Sequence, residues 1–550
     1  MTRRRDGAGA AARRDEVERV ARESFGFEEL RPGQREAIEA VLEGRDTLVV
    51  MSTGSGKSAI YEIPALIMPG PTVVVSPLVS LQRDQVEAID DELPGEAADL
   101  NAAASERQRA ERLRALRHDE LEFLFLAPEQ LARPETVESL RAAAPSLLVV
   151  DEAHSISEWG HDFRPDYLRL GGLVEELGHP TVLALTATAS PPVREEIVER
   201  LRMDDAAVVV RGFDRPNIWL AVHAFREEAD KRKALVERVT DQPKPGIVYA
   251  ATRRVADELA AELAERGLRS AAYHAGMGRK RRDEIQERFM DDDLDVIVAT
   301  TAFGMGVDKP NVRFVYHHAV SESIDSYYQE IGRGGRDDGP AEAVLFWRQE
   351  DLGLRRFFAG GQLDGETLER VVRAVRHHRR GVFAAELQEE TELSETRLMT
   401  ALGRLEDVGA VQVAADGRVS PADGRSLPVD DVVEAAAKEE EDRHRFDRSR
   451  LEMMRAYAEH EHCRRSFLLT YFGEEHAGAC GNCDNCDAGP VEPAGSTGPF
   501  EVGARVVHGE WGEGVVQRYD GDRMVVLFDA AGYKTMSVEL VSERRLLEPA

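Results

Sequence analysis

Ten short, almost wholly apolar runs recur along the first two thirds of the chain and constrain its fold more than any other feature. The first five are DTLVVM (46–51), TVVVSP (72–77), LEFLFLA (121–127), SLLVVDEA (146–153) and TVLALTAT (181–188). The second five are PGIVYA (245–250), LRSAAYH (268–274), DVIVAT (295–300), VRFVYH (312–317) and AEAVLFW (341–347). Continuous rather than alternating hydrophobicity is typical of strands buried on both faces of a parallel sheet. Helical patterns lie between the runs, so we expect two successive α/β units.

The chain length, the shortness of the apolar runs and the N-terminal residues limit the number of domains and the location of the protein. A chain of 550 residues predicts several domains. Its apolar runs are far shorter than the roughly 18 residues of a membrane-spanning helix, so we expect no membrane contact. The arginine-rich start lacks the apolar stretch of a secretory signal, and Asp6, Asp15 and Glu16 disfavour a transit peptide. We therefore predict a disordered tail over residues 1–22 and a cytoplasmic protein.

The net charge of −31 weighs against nucleic acid as a ligand, because proteins that bind nucleic acid are usually basic. Net charge, however, governs solubility and non-specific binding, and a local basic groove still holds a phosphate backbone. The acid excess predicts that any loose DNA binding is steeply sensitive to salt.

A glycine-rich turn, MSTGSGKS (51–58), follows the first apolar run and leads into a helical pattern. Backbone N–H groups of such a turn and of a helix N-terminus cradle phosphate anions. Lys57 would reach the β- and γ-phosphates and Ser58 would hold Mg²⁺. Met51 stands where the strict pattern has a glycine, and the alternative is a purely structural turn. The residues predicted to bind ATP here are Thr53, Gly54, Gly56, Lys57 and Ser58.

A pair of carboxylates, Asp151 and Glu152, ends another apolar run. In nucleotide sites of this kind the aspartate at a strand end holds Mg²⁺. A second carboxylate beside it can orient or deprotonate the attacking water. An ordinary acidic loop is the alternative, and the glycine-rich turn in the same α/β unit argues against it.

The second unit contains YYQEIGRGGRDD (327–338), which offers Gln329, Arg333 and Arg336. An arginine stabilises the charge that develops during phosphoryl transfer, and supplying it from a facing domain links the chemistry to domain closure. A solvated basic loop is the alternative.

Together these motifs resemble the RecQ-type DNA helicases of superfamily 2, over about residues 20–350 and 445–487. The stretches that carry the resemblance are FGFEELRPGQREAI (25–38), MSTGSGKS (51–58), SPLVSLQRDQV (76–86), DEAHSISEWGHDFRPDY (151–167), ALTATA (184–189), FDRPNIWL (213–220), ATTAFGMGVDKPNVRFVYH (299–317) and SYYQEIGRGGRDD (326–338). The resemblance implies two RecA-like lobes, ATP-driven 3′→5′ movement on single-stranded DNA, and unwinding of tailed duplexes in recombination and repair. It implies that Gln34 reads adenine and that Arg336 is the arginine finger, with Arg333 beside it.

The segment after DEAH matches an aromatic-rich loop that contacts single-stranded DNA in this family and couples it to ATP hydrolysis. Aromatic rings stack on any base, at about 1–3 kcal/mol each. An arginine offers a phosphate contact or a planar stack. A core role for the two rings is the alternative. The residues predicted to bind DNA are Trp159, His161, Phe163 and Arg164.

Residues 368–420 have the pattern of three helices and a hairpin around Asp416 and Gly417, which is typical of a winged helix. The cationic run from His377 to Arg380 supports DNA contact, and a structural or protein-binding role is the alternative. The winged helix precedes the four clustered cysteines here, whereas the common family order places the zinc-binding cysteines first. A long exposed helix is expected over 438–460.

The four cysteines have the spacing C-x16-C-x2-C-x2-C. Four thiolates suit a closed tetrahedral Zn²⁺ site; a redox pair and an iron–sulfur cluster are the alternatives. The family match implies structural zinc without a part in catalysis. The predicted zinc ligands are Cys463, Cys480, Cys483 and Cys486.

Beyond a linker rich in proline and glycine, residues 500–541 alternate in period two, with a hairpin signal at Asp520–Gly521. We expect a small SH3-like or Tudor-like barrel. It resembles the C-terminal module of some superfamily 1 repair helicases, which implies a protein partner such as RNA polymerase or a repair factor, or nucleic acid. Trp511 and Tyr533 are contact candidates, with core packing as the alternative.

The predicted architecture is multidomain, with two α/β lobes, a winged-helix-like α+β segment, a helical zinc-binding subdomain and a β-barrel. The predicted bounds are 1–22 for the tail, 23–207 and 208–350 for the two lobes, 351–437 for the winged helix, 438–487 for the zinc subdomain, 488–499 for the linker and 500–550 for the barrel. A DNA helicase is the leading hypothesis. The others are a DNA-bound adaptor whose ATPase only switches conformation, and an RNA helicase.

Overall fold

The computed structural model describes residues 3–550 except 53, 78, 102–103, 119, 158–163, 305–308, 354–364, 379–380, 414–417, 423–427, 475–477, 490–497 and 530. The chain divides into two compact units. One contains residues 1–212 and 362–440, and the other contains residues 213–361 and 441–550.

A seven-stranded, wholly parallel sheet in the order β3-β4-β2-β5-β6-β1-β7 forms the first lobe. Its strands are β1 (Thr47–Met51), β2 (Thr72–Val75), β3 (Ala97–Leu100), β4 (Phe123–Leu126), β5 (Leu147–Val150), β6 (Thr181–Thr186) and β7 (Ala207–Arg211). Its helices are α1 (Arg3–Phe25), α2 (Pro32–Leu42), α3 (Ala59–Ala65), α4 (Val79–Glu92), α5 (Glu106–Arg117), α6 (Pro134–Ala143), α7 (Leu170–Glu176) and α8 (Pro191–Arg200), and its 3-10 turns are Pro128–Ala132, Ala153–Ile156 and Pro165–Arg169. The five apolar runs predicted for this lobe are confirmed as parallel strands.

The predicted disordered tail is wrong for its last turns, because α1 extends through it. Val17, Val20 and Ala21 are buried in the core of the first lobe. Their spacing of three and four residues places them on one helix face, and that face covers the sheet. The lobe also extends beyond its predicted end at 207, because β7 pairs with β1 as far as Arg211.

The second lobe is a six-stranded parallel sheet in the order β10-β11-β9-β12-β13-β8. Its strands are β8 (Ile218–Ala224), β9 (Gly246–Tyr249), β10 (Ser270–Tyr273), β11 (Val296–Ala299), β12 (Phe314–His317) and β13 (Ala341–Trp347). Its helices are α9 (Glu228–Asp241), α10 (Arg253–Glu265), α11 (Arg279–Met290) and α12 (Ile324–Ile331). The second set of five apolar runs is therefore confirmed as well.

Residues 365–421 form three helices and a small antiparallel sheet with a core of their own. In chain order these are α13 (Gly365–His377), β14 (Val382–Phe383), α14 (Ala384–Thr391), α15 (Glu395–Asp407), β15 (Val411–Val413) and β16 (Arg418–Pro421). Strands β15 and β16 pair across the predicted hairpin, whose turn residues Asp416 and Gly417 lie outside the described residues. Helix α15 lies against the 3-10 turn Pro165–Arg169 of the first lobe.

Three helices precede and surround the cysteines: α16 (Val429–Ala458), α17 (Arg464–Tyr471) and α18 (Asp484–Ala488). The helix predicted to be exposed over 438–460 is part of α16. It is not exposed all round, because Phe446, Arg450, Met454 and Tyr457 are buried.

The C-terminal module is a five-stranded antiparallel sheet in the order β20-β19-β18-β17-β21. Its elements are β17 (Arg505–His508), β18 (Gly512–Asp520), β19 (Arg523–Phe528), β20 (Gly532–Ser537), α19 (Val538–Arg544) and β21 (Leu547–Pro549). The predicted hairpin joins β18 to β19, and Gly521 takes a φ of +59° at its turn. The described pairings form a small antiparallel sheet, and the SH3-like or Tudor-like barrel stays a prediction.

This sheet packs against the helices around the cysteines. The guanidinium of Arg518 lies 3.6 Å from the ring centroid of Phe467 in α17, and Tyr533 is buried between Phe446 and Tyr471. Tyr533 is therefore a packing residue, as the alternative held. Across the part of the chain that the structure describes, every helix is too short or too polar to cross a membrane.

Candidate nucleotide site and zinc centre

The glycine-rich turn joins the end of β1 to the start of α3, as its sequence predicts. Gly54 and Gly56 take φ values of +77° and +75°, a backbone region that favours glycine. The Lys57 ammonium donates to the carbonyl oxygens of Met51 at 3.0 Å and Ser52 at 3.3 Å. The Lys57 ammonium is thus held at the turn by backbone carbonyls, and phosphate binding there stays a prediction. Thr53 lies outside the described residues.

Gln34 braces this turn from the start of α2. Its Nε2 donates to the carbonyl oxygens of Ser55 at 3.1 Å and Gly56 at 2.8 Å, and its Oε1 accepts from the Arg31 N–H at 2.8 Å. A Cβ on Gly56 would lie 2.7 Å from that Nε2. The amide predicted to read adenine is therefore bonded to the phosphate loop.

The carboxylate pair follows β5 at the same edge of the sheet, where the carboxyl ends of parallel strands meet. Asp151 accepts from the Ser76 hydroxyl at 3.2 Å and from the Glu152 N–H at 2.9 Å. Burial raises the pKa of Asp151 to about 7; the Glu152 carboxylate adds to the rise and Lys57 opposes it. A divalent cation would offset this crowding of negative charge. That Asp151 and Ser58 hold Mg²⁺ stays a prediction.

His154 connects Glu152 to the end of β6. Its Nδ1 lies 2.9 Å from Thr186 Oγ1 and 3.3 Å from Glu152 Oε2. Because the Thr186 hydroxyl donates to the Thr188 carbonyl at 3.0 Å, the imidazole Nδ1–H is the donor to Thr186. Burial, with the positive charges of Arg164 and Lys57, lowers the pKa of His154 to about 3.

The depressed pKa of His154 predicts acid sensitivity. As the pH is lowered, the unfolded chain binds a proton at this side chain below about pH 6.5, whereas the folded chain binds it only near pH 3. Between these two values the unfolding free energy therefore decreases by about 1.4 kcal/mol for each unit by which the pH is lowered. We expect wild type to lose about 2 kcal/mol more of its unfolding free energy between pH 7 and 5 than His154→Gln. Urea unfolding at both pH values measures this, and equal losses would contradict the expectation.

Three of the four predicted DNA contacts, Trp159, His161 and Phe163, lie outside the described residues. Two residues that follow this segment bond back to residues that precede it. The Arg164 N–H donates to the Ser155 carbonyl at 2.8 Å, and the Tyr167 hydroxyl donates to the Asp151 carbonyl at 2.9 Å.

Arg333 and Arg336 belong to the other compact unit, on the loop that follows α12. Arg333 is 5% exposed and hydrogen-bonds the Tyr249 hydroxyl, while Arg336 is half-buried. Gln329 is half-buried on α12 itself. That Arg336 acts on the nucleotide stays a prediction.

The four cysteines converge, and their Sγ atoms all lie within 4.8 Å of one another. A tetrahedron of sulfurs about 2.3 Å from zinc has edges of about 3.8 Å, and Cys480 and Cys486 have their Sγ atoms 3.9 Å apart. That separation is almost twice a disulfide bond. All four are free thiols, Cys463 precedes α17 and Cys483 precedes α18, so the predicted ligand set fits a structural zinc.

The cysteine-bearing segment 463–488, here called the zinc element, is attached to β8 by contacts that the spacing does not reveal. The Val222 N–H donates to Asp484 Oδ2 at 2.9 Å, and the Trp219 indole donates to Asp487 Oδ2 at 2.8 Å. Arg464 pairs with the same Asp484 at 2.5 Å. The element therefore rests on the edge strand of the second lobe.

Comparisons with known proteins agree with this geometry. The chain matches the DEAD/DEAH box helicase family over residues 31–197, the helicase conserved C-terminal domain over 230–338 and the RecQ zinc-binding family over 427–487. The probable ATP-dependent DNA helicase RecS of Bacillus subtilis is 36% identical over 460 residues, which are 83% of this chain and 88% of RecS. The chain belongs to the RecQ family.

Other RecQ-family relatives match over a shorter stretch. The ATP-dependent DNA helicases RecQ of Pasteurella multocida and Bacillus subtilis are each 42% identical over 60% of this chain. The chain spans about half the length of these two relatives, 51% and 56%. The structure of Mycobacterium smegmatis helicase Lhr bound to ssDNA and AMP-PNP shares the fold at a TM-score of 0.50 and 20% identity, over 79% of this chain and 61% of Lhr.

Several site residues escaped prediction although they lie inside recognised motifs. Ser76 begins SPLVSLQRDQV, Thr186 lies in ALTATA, and Tyr167 ends the segment after DEAH. Their partners Asp151 and His154 are distant in sequence, so only the folded sheet reveals these contacts.

Proposed function

We propose that this RecQ-family chain is an ATP-driven 3′→5′ DNA helicase that acts in recombination and repair. One observation carries the proposal: the segment predicted to contact DNA follows the carboxylate pair in sequence, and the residues after it bond back to Asp151 and Ser155. Tyr167 donates to the carbonyl of Asp151, and Arg164 donates to the carbonyl of Ser155. DNA binding to that segment would therefore change the position of the carboxylates at the proposed site of ATP hydrolysis.

ATP would lie on the glycine-rich turn, with Lys57 turning from the loop carbonyls to the β- and γ-phosphates. Ser58 and Asp151 would hold Mg²⁺, which neutralises charge on the phosphates. Glu152 would orient the attacking water. Neutral His154, whose Nδ1–H donates to Thr186, lies beside it with Nδ1 3.3 Å from Glu152 Oε2. This division of roles follows from which carboxylate is buried and which lies beside the imidazole.

Movement along DNA would follow from coupling between the two lobes. Trp159 and Phe163 would stack on bases and Arg164 would contact a phosphate, which needs no base sequence. Arg336, with Arg333 beside it, would stabilise the transferred phosphoryl group. Gln34 would exchange its loop contacts for adenine, which ties nucleotide binding to the shape of the loop.

Two further modules would direct the enzyme. Residues 365–421, with three helices and paired strands, support a winged helix. Within the predicted cationic run, the His378 side chain lies 2.9 Å from the Glu390 carboxylate. The C-terminal sheet would act as a Tudor-like partner module for RNA polymerase or a repair factor. Half-buried Trp511, stacked on His508 at 4.1 Å, is its contact candidate.

Stimulation of ATP hydrolysis by different nucleic acids tests the proposed substrate. We expect single-stranded DNA to raise kcat at least about tenfold, and single-stranded RNA and blunt duplex DNA to raise it far less. Equal stimulation by RNA would contradict DNA as the track and favour an RNA helicase.

A further inference from the structure

Residues 213–218, here called the strap, connect the first lobe to β8 with the sequence FDRPNI. They lie between two parts of the same compact unit, the zinc element and the loop 332–339. That loop carries Arg333 and Arg336 and is here called the arginine loop. The strap contacts both.

Arg215 holds the arginine loop from the strap side. Its NH1 donates to the Gly332 carbonyl at 3.1 Å, and its NH2 donates to the carbonyls of Gly334 and Gly335 at 2.9 Å each. Carbonyls at the end of a helix lack partners within the helix, and a cation there is stabilising. Arg215 thus caps α12 at the point where the arginine loop begins.

Asn217 holds the far end of the same loop. Its Nδ2 donates to the carbonyl oxygens of Gly335 at 2.7 Å and Gly339 at 2.9 Å. Gly335 takes a φ of +57°, and a Cβ there would lie 2.5 Å from this Nδ2. The loop is therefore closed tightly onto the strap.

The zinc element holds the other side of the strap. Arg465 pairs with Asp214 at 3.0 Å and donates to the Ile218 carbonyl at 2.6 Å. Glu474 accepts from the Phe213 N–H at 2.9 Å, and Asn482 donates to the Pro216 carbonyl at 2.8 Å. All six strap residues are thus bonded either to the zinc element or to the arginine loop.

Aromatic packing reinforces the same three-part contact. The rings of Phe213 and Phe472 stack with centroids 4.5 Å apart, and Tyr328 of α12 lies 4.9 Å from Phe472. At the other end of α12 the Tyr471 hydroxyl donates to Asp325 at 2.6 Å. The zinc element therefore contacts α12 directly at its start and through the strap at its end.

We propose that the strap positions the arginine finger: Arg215 and Asn217 fix the arginine loop, and the zinc element fixes the strap. This rests on the proposed role of Arg336 and gives the zinc element an influence on catalysis that a purely structural site lacks. Arg215 and Asn217 are positioning residues, and they act through Arg336.

A double-mutant cycle on the full-length, zinc-loaded chain tests this. We expect Arg215→Ala to lower DNA-stimulated kcat about 10- to 100-fold with KM for ATP within about twofold, because a catalytic group misplaced by about 1 Å loses about that much. Arg215→Lys should recover part of the loss. In an Arg336→Ala background, Arg215→Ala should lower kcat by no more than about twofold further.

Arg254→Ala is the matched control, because Arg254 is an exposed arginine of the same unit that pairs with Glu258 four residues along its own helix. It should keep wild-type kcat. Asn217→Ser is the milder second variant, with an expected loss of about 3- to 10-fold, and serves if Arg215→Ala does not fold. Zinc content and Tm are measured for every variant.

Wild-type kcat in Arg215→Ala or Asn217→Ser would overturn the proposal, as would losses that multiply in the double mutant. If Arg336→Ala itself keeps wild-type kcat, the finger assignment in the proposed function fails instead, and the strap has no finger to position. The two failures are therefore distinguished by the single mutants.

Discussion

Replacing Glu152 by glutamine is expected to lower DNA-stimulated kcat for ATP hydrolysis by about 10³-fold while ATP affinity stays within about threefold. Glu152 follows Asp151, and its Oε2 lies 3.3 Å from Nδ1 of the neutral His154 imidazole, a position that suits its proposed role of accepting a proton from water. General-base contributions are typically about 10²- to 10⁴-fold. The amide keeps the shape of the side chain and loses only the basicity. Steady-state hydrolysis and binding of a fluorescent ADP analogue measure the two quantities.

Glu138→Gln is the matched control, because Glu138 is an exposed glutamate on α6 of the same lobe. It should leave both quantities unchanged. A Glu152→Gln variant that hydrolyses ATP at a tenth of the wild-type rate or faster would show that Glu152 is not the base.

Replacing Cys483 by serine is expected to remove bound zinc and lower the unfolding free energy by about 4 kcal/mol. Zinc present at about a thousand times its Kd stabilises the folded state by that amount, which corresponds to a fall in Tm of about 10 °C. Cys483 is fully buried and precedes α18, whose Asp484 bonds to β8 of the second lobe. Zinc content by atomic absorption and thermal unfolding by circular dichroism measure the effect.

Asp487→Asn is the control, because it keeps all four cysteines and changes only a contact to Trp219. It should retain about one zinc per chain and nearly all of the Tm. A Cys483→Ser variant with wild-type Tm would contradict a structural role for zinc.

The central strands could be predicted from sequence because their burial is continuous. Every residue of β1, β2, β4 and β5 is buried, and such runs stand out from any helical pattern. The edge strand β7 did not stand out, because its burial is interrupted and it includes the half-exposed Val208. This strand lies at the edge of its sheet and is partly exposed, so it lacks the continuous apolar signal of its inner neighbours.

The helix α1 shows a second limit. Its first residues, RRRDGAGAAARR, are polar or small and indicate no core contact, whereas Val17, Val20 and Ala21 near its end pack into the first lobe. The low overall hydrophobicity hid a short apolar face.

The candidate site likewise contains residues that the sequence predicts and contacts that only the fold reveals. Lys57, Asp151, Glu152 and the four cysteines are recognisable because their chemistry requires particular residue types at close spacing. Arg215 donates to the Gly332 carbonyl, and Glu474 accepts from the Phe213 N–H. Each of these hydrogen bonds joins a side chain to a backbone group more than a hundred positions away. Backbone groups carry no sequence signature, so only the fold reveals such contacts.

Strand separation of a 3′-tailed and a 5′-tailed duplex, with ATP and Mg²⁺ and with Glu152→Gln as the inactive comparison, tests the central claim most directly. The account predicts that wild type opens the 3′-tailed duplex only and that Glu152→Gln opens neither. DNA-dependent ATP hydrolysis without opening of either duplex would contradict it, and would identify the chain as an adaptor that uses ATP to change conformation.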